Sequence, residues 1–457
     1  MDHRHNDTIA AIATPPGMGA IAVLRLSGPE AFVVLGKVAP GLSGSVEERK
    51  AHFAHFQDEE GRIDEGLVTC FRGPRSYTGE DVVEVGVHGS PYVQQRMLEA
   101  LLTAGARLAE PGEFTRRAFL NRKLDLSQAE AVADLIASQS AAQHRLAMRQ
   151  LRGGFGRGIE ALRQRLIDFS ALVELELDFS EEDVEFAKRP ELIALIDEIA
   201  RMCTALIESF RYGNAVKQGV PVAIVGPPNS GKSTLLNALL QEDRAIVSEI
   251  PGTTRDTVEE TITLDGVLFR FIDTAGIRRT EDTVERLGIE RSHRKAREAE
   301  VVLLLGDSSV LSEGALRTEA DLLRQRIKAE IGEGYIPEVI PVMNKADLRA
   351  ASGNGTIAIS AKTGAGLDML RQRLVEHVSA MRSGPGDLVV TNVRHVDALT
   401  KARAALFDAH KAIMAGASGE LLAVDLRRAQ HHLGEITGRI TTDDLLGSIF
   451  GRFCIGK

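Results

Sequence analysis

Hydrophobic and polar positions follow different periods in successive stretches of the chain, and each change of period marks a change of architecture. In residues 1–118 two apolar runs, 8–13 and 20–26, flank Pro15, Pro16, Gly17 and Gly19, which predicts two strands joined by a longer hairpin-like loop. Residues 81–88 alternate: Val83, Val85 and Val87 share one face, and Val82, Glu84, Gly86 and His88 the other. Residues 92–104 predict a helix. This first stretch therefore reads as mixed α/β. In residues 119–215 the period lengthens. Ile159, Leu162, Leu166, Phe169 and Val173 are spaced 3, 4, 3, 4, and Leu192, Leu195, Ile199, Met202 and Leu206 repeat the spacing, the seam of long packed helices. From 216 to 382 apolar strands alternate with helices, the sign of a parallel α/β sheet. After the Gly/Pro-containing stretch at 383–386 helical periodicity returns, with Leu399, Ala402 and Leu406 on one face and Thr441 and Asp444 placed to cap a last helix. The expected organisation is 1–118, 119–215, 216–382 and 383–457, the two helical stretches forming one domain interrupted by the α/β insert.

Composition narrows what such a chain can do. The 457 residues carry a formal charge of −9, too acidic for a generic nucleic-acid coat, although local basic surface remains open. Arg145, Arg149 and Arg152 follow a +4, +3 spacing that predicts one helical face, and residues 141–165 hold six Arg against one Glu, which suits either a solvated face or an RNA-phosphate surface. Residues 174–185 carry seven carboxylates, solvated or metal-binding. With no Trp and 4% aromatics, multi-base stacking platforms are not expected. Three cysteines, none in a CxxC pair, argue against a disulfide framework or structural zinc. No signal-like h-region opens the chain, and no run reaches the roughly 18 apolar residues of a membrane helix. A cytoplasmic protein is expected.

The chemistry concentrates in 216–382. A short apolar strand ending at Val225 runs into Gly226-Pro-Pro-Asn-Ser-Gly-Lys232-Ser233, the G-x-x-x-x-G-K-S pattern, followed by an apolar-periodic helix expected from Thr234. Glycines there let backbone N–H groups wrap phosphates at a helix N-terminus. Asn229, Ser230, Gly231 and Thr234 belong to this cradle, Lys232 would neutralise the β/γ-phosphates, and Ser233 would ligate Mg²⁺. Pro227 lacks an N–H but leaves the frame intact. Asp273-Thr274-Ala275-Gly276 ends another strand: Asp273 would contact Mg²⁺, and the Gly276 N–H would sense the γ-phosphate. Asn344-Lys345-Ala346-Asp347 ends a third. The Asp347 carboxylate can accept from guanine N1–H and the 2-amino group together, a pair adenine does not offer, so GTP is favoured over ATP. Ser360-Ala361-Lys362 adds a backbone contact to the base. Gly252-Thr253-Thr254 opens a switch loop whose Thr254 can complete the Mg²⁺ shell. The residue after Gly276 is Ile277, where Ras-like enzymes place a water-orienting Gln, so the attacking water must be held by another group.

These motifs in this order mark a GTPase, and the rest of the chain points further. ATPPG at 13–17, GPRSYTGEDVVE at 73–84, PGEFTRRAFLNRKLDLSQAEAVADLI at 111–136, DTAGIRR with VERLGIER, NKAD, and the closing FCIGK together resemble the MnmE (TrmE) family of tRNA-modification GTPases over the whole length. The resemblance implies an N-terminal α/β folate-binding and dimerisation domain, then a helical domain interrupted by an inserted Ras-like P-loop GTPase domain. It implies a homodimer working with an FAD-dependent MnmG (GidA)-like protein, in a heterotetramer or larger complex, to install an aminomethyl-type group at C5 of the wobble uridine of certain tRNAs. The one-carbon donor would be 5-formyltetrahydrofolate or a related reduced folate. Matching positions place Arg25, Glu84, Lys123 and Lys457 near it: Glu84 can accept from pterin N–H groups, and the basic residues suit folate carboxylates. The resemblance also implies K⁺ beside GTP and Mg²⁺, held by Asn229 with Ser248, Ile250 and Thr253 of the switch loop, where Glu249 and Pro251 also belong to the nucleotide site, and with Glu285 orienting water. Cys454 matches the family's C-terminal cysteine and would act as a nucleophile or pack the last helix. A ribosome-assembly GTPase without modification chemistry would share the G motifs, but would usually add a compact RNA-binding module such as KH, and no such pattern stands out.

Overall fold

A computed structural model describes residues 7–42, 46–178, 188–243, 260–272, 296–332, 335–349, 355–382, 388–417 and 419–457. The chain divides into two compact units, Met1–Ala133 with Gln150–Leu172 and Arg427–Lys457, and Asp134–Arg149 with Val173–Leu426.

In the first unit β1 (Ile9–Ile12) pairs antiparallel with β2 (Ile21–Ser27), the hairpin expected from the Pro/Gly loop between them. Then come α1 (Ala31–Val38), β3 (Ala51–Asp58), β4 (Gly61–Phe71), β5 (Val82–His88), α2 (Pro91–Thr103) and β6 (Arg107–Leu108). Pro91 opens α2 where a missing N–H costs nothing. The sheet order β3-β4-β5-β2-β1-β6 sets β2 beside β5, with Arg25 directly opposite Glu84. Val83, Val85 and Val87 are buried with Val34, Leu35, Met97 and Leu101, as the alternation of β5 requires. Each such fully buried side chain contributes about 1.5–3 kcal/mol. Glu84 lies on the opposite face, half-buried.

The helical region comprises α3 (Glu113–Leu120), α4 (Leu126–Ala137), α5 (Ala141–Leu151), α6 (Gly154–Asp178) and α7 (Arg189–Gln218). Ile159, Leu162, Leu166 and Val173 are buried on α6, and Leu192, Leu195, Ile199 and Leu206 on α7, so the seams bury as expected. Arg145 and Arg149 are exposed on α5, but Arg152 lies in the turn beyond it, so the three do not share one helical face. Much of the acidic stretch, 179–187, lies outside the described residues.

Within the second unit α7 passes through Gly219 into β7 (Val220–Val225), followed by α8 (Lys232–Asp243), β8 (Glu260–Leu264), β9 (Val267–Phe271), β10 (Val301–Asp307), α9 (Glu313–Ile331), β11 (Glu338–Asn344), β12 (Ile357–Ala358) and α10 (Leu367–Ala380). The sheet order is β12-β11-β10-β7-β9-β8. It is parallel, as expected, except that β8 pairs antiparallel with β9 at one edge. A short turn at Asp265-Gly266 makes that hairpin, a local departure from strand–helix alternation. Residues 301–306 of β10 are all buried, because helices cover both faces of the sheet.

The chain closes with α11 (Val393–Met414), α12 (Gly419–Thr437) and α13 (Asp443–Phe450). Leu399, Ala402 and Leu406 are fully buried. Gly213 of α7 lies so close to the segment before α11 that an added Cβ would stand 2.0 Å from the Val390 carbonyl. In the first unit Gln430 on α12 donates to the Leu166 carbonyl at 3.0 Å, and Leu446, Phe450 and Phe453 pack with Leu126 and Ala129. The cap of α13 is Thr442, whose hydroxyl accepts from the Leu445 N–H, rather than Thr441. The helix starts one residue later than expected, and Thr442 has the extended cap conformation.

Candidate functional site

Side chains from the carboxyl ends of parallel strands converge at one edge of the second unit's sheet, the usual position for a ligand in open α/β folds. The loop after β7 turns on Gly226 (φ 149°) and Gly231 (φ 94°), in backbone conformations that L side chains rarely adopt. A Cβ on Gly231 would stand 2.2 Å from the Asn344 side-chain amide. Asn229 has φ 61°. The helix α8 begins at Lys232, two residues before the expected Thr234, so the Lys232 and Ser233 backbone lies in its first turn. The Lys232 ammonium donates to the Gly226 and Pro227 carbonyls, 2.8 Å each, and burial lowers its pKa.

The ends of β11 and β12 knit onto this loop. The buried Asn344 donates to the Ser230 carbonyl at 2.8 Å and accepts from the Ala361 N–H at 3.0 Å. It thereby joins three of the expected motifs with one amide. Asp347 is exposed and accepts from the Ser360 hydroxyl at 2.6 Å, which keeps its carboxyl below the usual range. The Ala346 N–H bonds to the Ile359 carbonyl, and Lys362 is exposed beside Ala361. An ionised carboxylate held outward at this edge can accept from two adjacent N–H donors. Ser248, Glu249, Ile250, Pro251, Gly252, Thr253, Thr254, Asp273, Thr274, Ala275, Gly276 and Glu285 lie outside the described residues.

The first unit holds a second polar cluster. Arg25 and Glu84, paired in register across β2 and β5, form a two-point ion pair: Nη2 and Nε donate to the same Glu84 oxygen at 2.7 and 3.0 Å. The Arg25 guanidinium lies over the Tyr77 and Phe114 rings, 5.4 and 5.8 Å from their centroids. Tyr77 shares a hydrogen bond with Thr115 at 2.9 Å. The Phe114 N–H bonds to the Lys457 carbonyl at 3.1 Å, which brings the chain's last turn beside this aromatic pair. A Cβ on Gly456 would meet the Ile12 carbonyl at 2.3 Å. Lys123 donates to the Pro74 carbonyl at the base of the loop that carries Tyr77. The cluster therefore combines a guanidinium–carboxylate pair and two aromatic faces. Cys454 is exposed, so it does not pack the last helix. Phe450 and Phe453 fill that role.

Behind Phe114, the buried Arg117 donates to Asp7, Glu113 and Glu80 at 2.6, 3.0 and 3.1 Å, and Arg107 clamps Asp7 and Glu113 from outside. Burial opposes ionisation of Asp7 and Glu113, but hydrogen bonds from Arg107 and Arg117 outweigh it and hold both carboxyls below their ordinary range. The sequence reading missed Tyr77, Phe114, Arg117 and Asp307, the last ion-paired to Lys345.

Residues 8–123 match the family model described as "GTP-binding protein TrmE N-terminus", and residues 126–454 match "MnmE helical domain". The chain is 48% identical to the tRNA modification GTPase MnmE of Christiangramia forsetii, over 99% of each chain. It is 48% identical to that of Cytophaga hutchinsonii over 99% of this chain and 98% of the relative, and 49% identical to that of Bacteroides fragilis over 99% and 100%. Among solved structures, the G domain of the T. maritima FeoB iron transporter matches 35% of this chain and 98% of its own, at 28% identity and a TM-score of 0.23.

Proposed function

The chain belongs to the MnmE family of tRNA-modification GTPases, and from that membership we propose a specific division of labour between its two sites. It is a GTP hydrolase acting in tRNA modification. The observation that carries the guanine assignment is Asn344: one buried amide ties the phosphate loop to the Ala361 backbone, while Asp347, braced by Ser360, faces outward to read the base. Lys232 and Ser233 would hold the phosphates and Mg²⁺, together with Thr254 and Asp273. Asn229, Ser248, Ile250 and Thr253 would hold K⁺, whose charge would supply what an arginine finger supplies elsewhere. Glu285 would orient the attacking water in place of the missing Gln.

The first unit would bind the reduced folate. The Arg25–Glu84 pair and the Tyr77 and Phe114 rings fit a flat, hydrogen-bonding pterin with an anionic tail, and the Lys457 main chain lies beside them. Lys123 would meet the tail. With an FAD-dependent MnmG-like partner, a homodimer of this chain would install the aminomethyl-type group at C5 of the wobble uridine. No described helix is long and apolar enough to cross a membrane. Family matches on both sides of the G motifs favour this reading over a ribosome-assembly switch. Single-turnover GTP hydrolysis in K⁺ and in Na⁺ tests the cation. Turnover should drop sharply in Na⁺ for the parent, and by about 10²–10⁴-fold in K⁺ for Glu285→Ala with nucleotide binding kept. Equal turnover in the two salts removes K⁺ from the mechanism.

A further inference from the structure

Asp307 ends β10, directly opposite Asn344 at the end of β11. Both of its carboxylate oxygens are engaged. Oδ2 accepts from the Lys345 ammonium at 2.6 Å, and Oδ1 accepts from the Ser309 hydroxyl and N–H at 2.6 and 2.9 Å. The ammonium beside it and the Ser309 bonds hold the carboxyl at about 2, so it stays ionised at any working pH. Lys345 itself has φ 62°, in the left-handed region. Its carbonyl accepts from the Ser308 hydroxyl at 2.7 Å, and the Ser308 N–H bonds to the Asn344 carbonyl at 3.0 Å. The turn after β10 thus grips the Lys345 backbone with one residue and its ammonium with the residue before.

A free lysine arm samples many rotamers, and ordering it costs up to about 2 kcal/mol. Here the cost is met by folding rather than by ligand binding. Lys345 stands between Asn344, which ties down the phosphate loop, and Asp347, which faces the base edge. Its methylene stem is apolar and suits the face of a planar ring. We propose that Asp307 is a positioning residue for guanine-nucleotide binding, holding Lys345 in one arrangement so that the purine meets a preset arm. This rests on the reading of the Asn344–Asp347 edge as the base site.

The test is a titration of the full-length protein with a fluorescent GDP analogue, comparing Asp307→Asn, Lys345→Ala and the double variant. Losing the charge-assisted bond should weaken GDP binding about 10-fold in Asp307→Asn. Because Asp307 acts through Lys345, the double variant should bind no more weakly than Lys345→Ala alone. The ratio of GDP to inosine diphosphate affinity should stay at the parent value in Asp307→Asn, since Asp347 reads the 2-amino group. Additive losses in the double variant would show that Asp307 acts elsewhere and overturn the inference. So would full affinity in Asp307→Asn beside weakened Lys345→Ala. Full affinity in both single variants would overturn the base-site reading, and the inference with it.

Discussion

The two polar sites are built by opposite methods. At the sheet edge of the second unit each motif is a few consecutive residues at a strand end, and parallel pairing brings the ends together. In the first unit only Tyr77 and Glu84 fall in one motif, while Arg25, Phe114 and Lys457 come from distant parts of the chain, and tertiary packing must gather them. The first kind of site needs correct backbone geometry at a few loops. The second needs the entire surrounding structure, and the buried network around Arg117 supplies part of it.

The sharpest way to break this contrast is Arg117→Met. It would leave Asp7, Glu80 and Glu113 without their buried cation, at a cost of about 3–5 kcal/mol. Denaturant unfolding near neutral pH should show the loss. The folded carboxyls of Asp7 and Glu113 are depressed in the parent, so their stabilisation is present above the ordinary carboxylate pKa and fades as pH falls through the folded one. The gap between variant and parent should therefore narrow in acid. A gap that stays constant with pH would point to lost packing instead of lost charge pairing.

At the sheet edge, Asp347→Asn should change recognition and leave the fold intact. An amide cannot accept from both guanine donors, so GTP affinity should drop about 10²-fold while xanthosine triphosphate gains relative to it. Unchanged GTP affinity would remove Asp347 from base reading. A smaller effect is expected for Glu84→Gln, about 10-fold in 5-formyltetrahydrofolate affinity by equilibrium titration, with GTP binding untouched. Coupled loss of both ligands would erase the separation between the sites.

The smallest effect concerns His377 in the second unit, which lies between Glu300 and Glu338, with Arg211, Tyr335 and Arg373 against those carboxylates. Burial works against its charged form, but the hydrogen bonds it donates to the two carboxylates prevail and raise its pKa. Its stabilisation is full below the ordinary histidine value of about 6.5 and is lost as pH rises through the folded pKa. His377→Gln should cost about 1 kcal/mol at acid-to-neutral pH and converge with the parent in alkali. Parallel curves would exclude the titration.

How much could be read beforehand follows the same division. The phosphate loop, Asn344, Asp347 and Ser360 were legible because each chemical role occupies a fixed offset in a short string. Asp307 was missed because a single Asp closing an apolar strand shows no cationic partner nearby in sequence; its lysine follows the end of β11, 38 residues on. Arg116 and Arg117 are adjacent and alike, and only the turn of α3 decides that Arg117 faces Glu113 and is 2% exposed. Arg25 and Glu84 were named through family resemblance, yet their mutual ion pair depends on a strand register that local alternation cannot specify. The Arg152 expectation failed because α5 ends before it.

The contact of Gly456 with the Ile12 carbonyl, and of the Lys457 carbonyl with Phe114, has a consequence for the order of events in the cell. A ribosome makes Ile12 long before Gly456, with the whole second unit's sheet between them. The second unit's nucleotide edge has all of its strands once residue 361 has emerged, so it can close while synthesis continues. The first unit's aromatic cluster has to wait, with its β-hairpin already made, for a neighbour that does not yet exist. A chain cut between residues 361 and 456 would keep its strand-end motifs together and leave the aromatic cluster unfinished.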